Sequence, residues 1–108
     1  MEKVYIVCWA SAGQDDDGNS TAHGGVHSVH LTPEGAKKGL EECKQEFYDE
    51  IVNNPDFDED TVRDMKETTQ VYGSIVENVD SCYFEIDYSS WDIGNEIYMC
   101  IETKEVTR

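Results

Sequence analysis

Residues 32–54, TPEGAKKGLEECKQEFYDEIVNN, decide how the rest of this chain is read. Ala36, Leu40, Cys43, Phe47 and Ile51 recur at steps of three and four, which lines one face of a 3.6-residue period and predicts an amphipathic helix. Thr32 is placed to cap it, Pro33 suits a first helical position whose N–H has no partner anyway, and Glu34 complements the positive end of the helix dipole. Asn53, Asn54 and Pro55 stop it. The opposite face carries Glu41, Glu42, Glu46, Asp49 and Glu50. One helix therefore holds both the apolar stripe that a sheet must cover and a row of carboxylates.

Upstream, residues 3–9 alternate Val4, Ile6 and Cys8 with Tyr5, Val7 and Trp9, so both faces are apolar, as an interior strand requires. Residues 10–25, ASAGQDDDGNSTAHGG, are small, polar and glycine-rich, and read as a long mobile loop. Val26, Val29 and Leu31 restore β character over residues 25–31, which predicts an antiparallel hairpin with an oversized connection. Downstream, Asp58 or Asp60 caps a short second helix packing through Val62, Met65 and Thr69. Val71, Ile75, Val76 and Val79 are β-branched but interrupted by Gly73 and Ser74, which leaves helix and strand both open there. Cys82, Phe84, Ile86 and Tyr88 alternate with Tyr83, Glu85 and Asp87, describing a strand with one buried and one wet face. A turn is expected at residues 89–95. Residues 96–106 then bury Ile97, Met99 and Ile101 and present Tyr98, Cys100 and Glu102. The sum is an α+β fold, an antiparallel sheet of four or five strands with one long and one short helix packed on one face. The 108 residues form a single domain without repeat or linker.

Charge is the feature that departs from the average. Twenty-four acidic residues against eight basic ones leave −16, while 38% hydrophobic residues still supply a core. Residues 41–67 hold eleven acids and three bases, and residues 77–102 hold seven acids and no base. Such a field repels nucleic acid and anionic membrane and attracts basic surfaces, so the expected partner is a basic protein, with no direct nucleic-acid or membrane binding. No apolar stretch reaches membrane-spanning length, and MEKVYIVCWA lacks a basic leader and cleavage site, so a cytoplasmic protein is expected. Cys8, Cys43, Cys82 and Cys100 lie inside apolar patterns without a C-x-x-C pair, and read as buried reduced thiols.

Three constellations invite a chemical reading. Asp15, Asp17 and Asn19 occupy the first, third and fifth places of a calcium loop, but the sixth is Ser20 and the twelfth Val26. His23, His27 and His30 suggest zinc, yet on a regular strand His27 and His30 point to opposite faces and need a bulge to share an ion. Cys8 or Cys43 with one of these histidines would make a nucleophile and base, but nothing marks either thiol as activated. No catalytic residue, metal or cofactor is therefore expected, and the chain reads as a binding protein, not an enzyme.

The acidic row is the stronger signal. Asp49 and Glu50 lie at the negative end of the helix dipole and Lys37 and Lys38 near its positive end, placements that helix stability does not favour. Outward carboxylates along a helix rising 1.5 Å per residue reach roughly 27 Å, comparable to about eight nucleotides of one strand. Glu42, Glu46, Asp49 and Glu50, with Asp56, Asp58, Glu59 and Asp60 beyond the helix, are the expected partner-binding residues, and Tyr48, Tyr83 or Tyr98 the expected anchors.

The order of a V-Y-I-V strand (Val4 to Val7), a strand ending in L-T-P-E-G-A (Leu31 to Ala36), an amphipathic helix and a tyrosine-rich C-terminal strand pair resembles small phage and mobile-element proteins. In size and acidity the chain resembles anti-CRISPR and anti-restriction inhibitors, several of which mimic DNA. The resemblance implies an inhibitor acting in the host cytoplasm on a nucleic-acid-binding effector. Two alternatives stay open: an acidic interaction module whose basic partner is unrelated to nucleic acid, and a metal or small-ligand binder built on residues 10–25 through Asp15, Asp17 or His23.

Overall fold

The computed structural model describes residues 2–14, 20–90 and 93–106. Five strands, β1 (Glu2–Gln14), β2 (Ser20–His30), β3 (Gln70–Ser74), β4 (Tyr83–Ser90) and β5 (Ile93–Val106), form one antiparallel sheet in the order β2-β1-β5-β4-β3. Helices α1 (Pro33–Val52) and α2 (Glu59–Thr68) complete the fold. The sheet is open, and its long axis sets the 51 Å length of the molecule. Thirteen or fourteen residues at about 3.4 Å each account for most of that.

The helices form as their sequences dictate. Thr32 Oγ1 accepts from the Gly35 N–H at 3.1 Å, Pro33 opens α1, and Asn53 closes it with its N–H on the Asp49 carbonyl. Asp58, one of the two expected caps, accepts from the Thr61 N–H at 2.7 Å, a bond that holds its carboxyl below the ordinary range. Ala36, Leu40 and Cys43 are buried, Phe47 and Ile51 half-buried, and all five meet one face of the sheet. That face supplies Val7 from β1, Ile97, Met99 and Ile101 from β5, and Phe84 and Ile86 from β4. Cys82, also buried, pins the irregular segment before β4, where Val79–Ser81 makes a 3-10 turn. Its sulfur accepts from the Val76 N–H at 3.3 Å and donates to the Val76 carbonyl.

Two glycines are required by close approach. A Cβ on Gly39 would lie 2.5 Å from His30 Nε2 and 3.0 Å from Ser28 Oγ, so α1 rests on β2 only because the helix lacks a side chain there. Gly73, with φ +101°, would drive a Cβ to 2.2 Å from the Tyr83 carbonyl oxygen.

Two expectations need correction. Residues 10–25 are not a long loop, because β1 continues to Gln14 and β2 begins at Ser20, with pairs running to Gln14 and Ser20 and a second ladder from β1 to β5 as far as Ala12 and Glu96. Small residues look loop-like singly, but Ala10 to Ala12 are held by ladders on both sides and β2 pairs to β1 along this stretch as the edge strand, so neither needs strong propensity of its own. The expected turn at residues 89–95 is also too wide, since β4 and β5 stay paired to Ser90 and Ile93. Beyond these, Gln70–Ser74 form the edge strand β3, residues 75–78 are irregular, and Val79 opens the 3-10 turn. Antiparallel pairing, an interior β1 and both helices stand as expected.

Candidate functional site

Alternation and register divide the charged and aromatic residues between the two sides of the sheet. On the helical side, every expected partner-binding residue is exposed: Glu42, Glu46, Asp49 and Glu50 on α1, and Asp56, Asp58, Glu59 and Asp60 at and before α2. Their occupations differ. Glu46 accepts from His27 Nε2 at 2.8 Å, Asp49 accepts from Gln45 Nε2 at 2.9 Å, Asp58 caps α2, and Asp60 pairs with Arg63. Glu41 pairs with Lys44 at 3.0 Å, and that ammonium lies 4.6 Å over the Phe84 ring. Among the described residues, the carboxylates of Glu42, Asp56 and Glu59 have no hydrogen-bond or ion-pair partner. The acids of α1 run from Glu41 to Glu50, about 14 Å along the axis, half the reach expected from the whole helix.

Among the described residues, no helix lies over the other side of the sheet. Reading the registers across β2, β1, β5, β4 and β3 gives Val26, Cys8, Cys100, Tyr83 and Ser74 in one row. The next row is Gly24, Ala10, Tyr98, Glu85 and Tyr72, and the next Ala22, Ala12, Glu96, Asp87 and Gln70. Val29, Ile6 and Glu102 lie on the opposite flank of the first row. The β1–β2 half is thus aliphatic and small; the β5–β4–β3 half is aromatic and acidic.

In that second half Tyr83 and Tyr98 stack with ring centroids 5.7 Å apart. Glu85, Asp87 and Glu96 bring one carboxylate oxygen each within 4.8 Å of one another. Burial, then the charges of Asp87 and Glu96, hold the Glu85 carboxyl above its ordinary range. Burial first, with Cys100, Tyr83 and Glu85 adding, raises the Tyr98 phenol likewise. No cation among the described residues pairs with these three acids. Glu85 and Asp87 are half-buried and Glu96 is exposed.

The histidines behave differently from the expectation. A register shift between Val7 and Cys8 inserts His27 as an extra residue in β2, the bulge a regular strand lacked, so His27 and His30 both reach Ser28 Oγ, at 3.1 and 2.7 Å. The row Glu46, His27, Ser28, His30 has the residue types of a hydrolytic triad. Its hydroxyl lies against Gly39 of α1; the two bonds to Ser28 stay within β2, and the His27–Glu46 pair straps α1 to β2. His23 pairs with Ser11 farther out on the hairpin. Asp15, Asp17 and Asn19 lie outside the described residues.

All four cysteines are free thiols, with Cys43 and Cys82 buried and Cys8 and Cys100 half-buried and directly opposite each other on the uncovered face. Burial, then Glu46, pushes the Cys43 thiol up to about 11. Concavities among the described residues include a groove along α2 lined by Phe57, Val62 and Lys66, and a smaller one between Lys44, Tyr48 and Val71. Neither gathers a nucleophile with a base.

The sequence reading missed how the tyrosines are distributed. Tyr48 is half-buried beside the core, whereas Tyr83 and Tyr98 lie on the face away from the helices, so neither anchors the acidic row of α1. The signal was available: both alternate out of phase with the buried Phe84, Ile97 and Met99. No helix among the described residues is long and apolar enough to cross a membrane. The chain matches no protein-family model, and no curated protein and no solved structure is significantly similar to it.

Proposed function

We propose that this chain is an inhibitory binding protein that presents its carboxylates to the basic, nucleic-acid-binding surface of another protein, in the manner of anti-CRISPR or anti-restriction inhibitors. The observation that supports this reading is the uncovered acidity of the helical layer. Glu42, Asp49, Glu50, Asp56 and Glu59 face solvent, and α1 has no basic residue in its last turn to offset Asp49 and Glu50. About 14 Å of helix spans roughly four phosphates of one strand, so the acids at and before α2 extend the imitation.

Affinity capture from lysate, with and without nuclease, identifies the partner. The expected partner has a basic groove, is displaced by its own nucleic acid, and is released steeply as salt rises. Neutralising Glu42, Glu46, Asp49 and Glu50 together should weaken capture. Salt-insensitive binding, or a small metabolite with no protein partner, would refute the proposal.

A further inference from the structure

We infer that the uncovered face of the sheet is a second binding surface, built for an arginine-bearing segment of a protein partner whose apolar side chains lie over β1 and β2. This rests on the reading that the partner is a basic protein, and adds a surface on the layer opposite the helices. Several occupants fit an apolar sheet face in general. Charge complementarity selects among them.

The apolar half is exposed to an unusual degree. Val26 and Val29 are 61% and 58% accessible, and with Ile6, Cys8 and Ala10 they form a surface without a charged residue. Beside it, Glu85 has Tyr72 and Tyr98 as its direct cross-strand neighbours on β3 and β5, with Tyr83 two residues before it and Asp87 two after. A guanidinium is planar, stacks on aromatic faces and offers a fork of donors to carboxylates. Stacked Tyr83 and Tyr98 beside Glu85, Asp87 and Glu96 offer both partners at once. The three acids repel one another and have no paired cation among the described residues, so an incoming arginine relieves repulsion already present in the free protein. A second copy of this chain would instead set another cluster of acids against this one, and nucleic acid would add phosphates.

The probe is a short peptide with a leucine block followed by an arginine block, titrated into the isotopically labelled chain and followed by NMR. The comparison peptides replace arginine by lysine or omit the leucines. Amide shifts should map to Ile6, Val29, Tyr72, Tyr83, Glu85 and Tyr98, and both comparison peptides should bind more weakly. The double variant E85Q/E96Q should lose about tenfold in affinity, roughly 1.4 kcal/mol, while D64N/E67Q, two exposed acids of α2, stays within about twofold. The double variant removes repulsion, so misfolding does not explain its loss.

Shifts on α1 or α2, or equal losses from both double variants, would overturn the inference. So would dilution-sensitive broadening of the same residues without peptide, which assigns the face to a second copy, or calcium shifting only Glu85, Asp87 and Glu96 and displacing the peptide. Failure here leaves the helical reading standing, because that reading is scored by competition with nucleic acid and by the α1 variants.

Discussion

Replacing Leu40 by alanine tests the layering on which both surfaces depend. Leu40 is fully buried at the centre of the α1 stripe, in one cluster with Val7, Ile86 and Met99 from three different strands. The substitution removes three carbons, worth about 0.8 kcal/mol each by transfer, and leaves a cavity. Relaxation is limited because β1, β5 and β4 each have hydrogen-bonded neighbours on both sides and cannot shift singly. A loss of about 3–4 kcal/mol follows, or roughly 12–25 °C in Tm for a domain of this size. Val29→Ala removes two carbons from a side chain on the uncovered face, and should cost under about 0.5 kcal/mol. Urea unfolding followed by circular dichroism measures both, with an unchanged m-value showing that the same surface unfolds. A loss below about 1 kcal/mol at Leu40, or an equal loss at Val29, would mean that the helices do not cover the face assigned to them.

Three further outcomes follow from buried or crowded groups. Thr69 Oγ1 is buried without a hydrogen-bond partner, so Thr69→Val should raise stability by about 1 kcal/mol in the same urea experiment. Glu85 has a raised carboxyl, so its ionisation opposes folding above the folded pKa, and that penalty fades as pH falls toward the ordinary glutamate range. Glu85→Gln should therefore raise Tm at pH 7 and lose its advantage toward pH 4, a difference that differential scanning fluorimetry across pH would detect. Alkylation at pH 8 should modify Cys8 and Cys100 before Cys43 and Cys82, as peptide mass spectrometry can score, because burial shields the second pair and holds Cys43 protonated.

Most of the fold was legible because its elements carry strong periodicity. The helix stripe from Ala36 to Ile51, the caps Thr32 and Asp58, and the alternations of β4 and β5 each dictate one local structure, and each is found. The hairpin tip was not legible because its strand character is imposed from outside: Ala10, Ser11, Ala12 and Gly13 are extended by ladders to β2 and, as far as Ala12, to β5. The bulge at Val7 and Cys8 left no sequence mark either, although the histidine spacing stated the condition it satisfies. For the candidate site, the exposure of Glu42, Glu46, Asp49 and Glu50 could be read from the helical phase of α1, whereas their partners could not. His27 reaches Glu46 across nineteen residues, a pairing that only packing of α1 on β2 creates.

The uncovered face joins these observations. An antiparallel sheet can leave one face in water when that face alternates into polar residues. β4 and β5 do so with Glu85, Asp87, Glu96 and Glu102, but β1 and β2 present Ile6, Cys8, Val26 and Val29 instead. The sheet edge at β2 has the same character, since Ser20–His30 contains no acid, lysine or arginine, the residues that ordinarily discourage edge pairing. The charge everywhere else, −16 on the chain, opposes pairing of such a surface with a second copy. On the two readings proposed above, the acidity has two consequences from one cause: it would draw basic partners to the molecule, and it would reserve the apolar half of the sheet for a partner that brings positive charge with it.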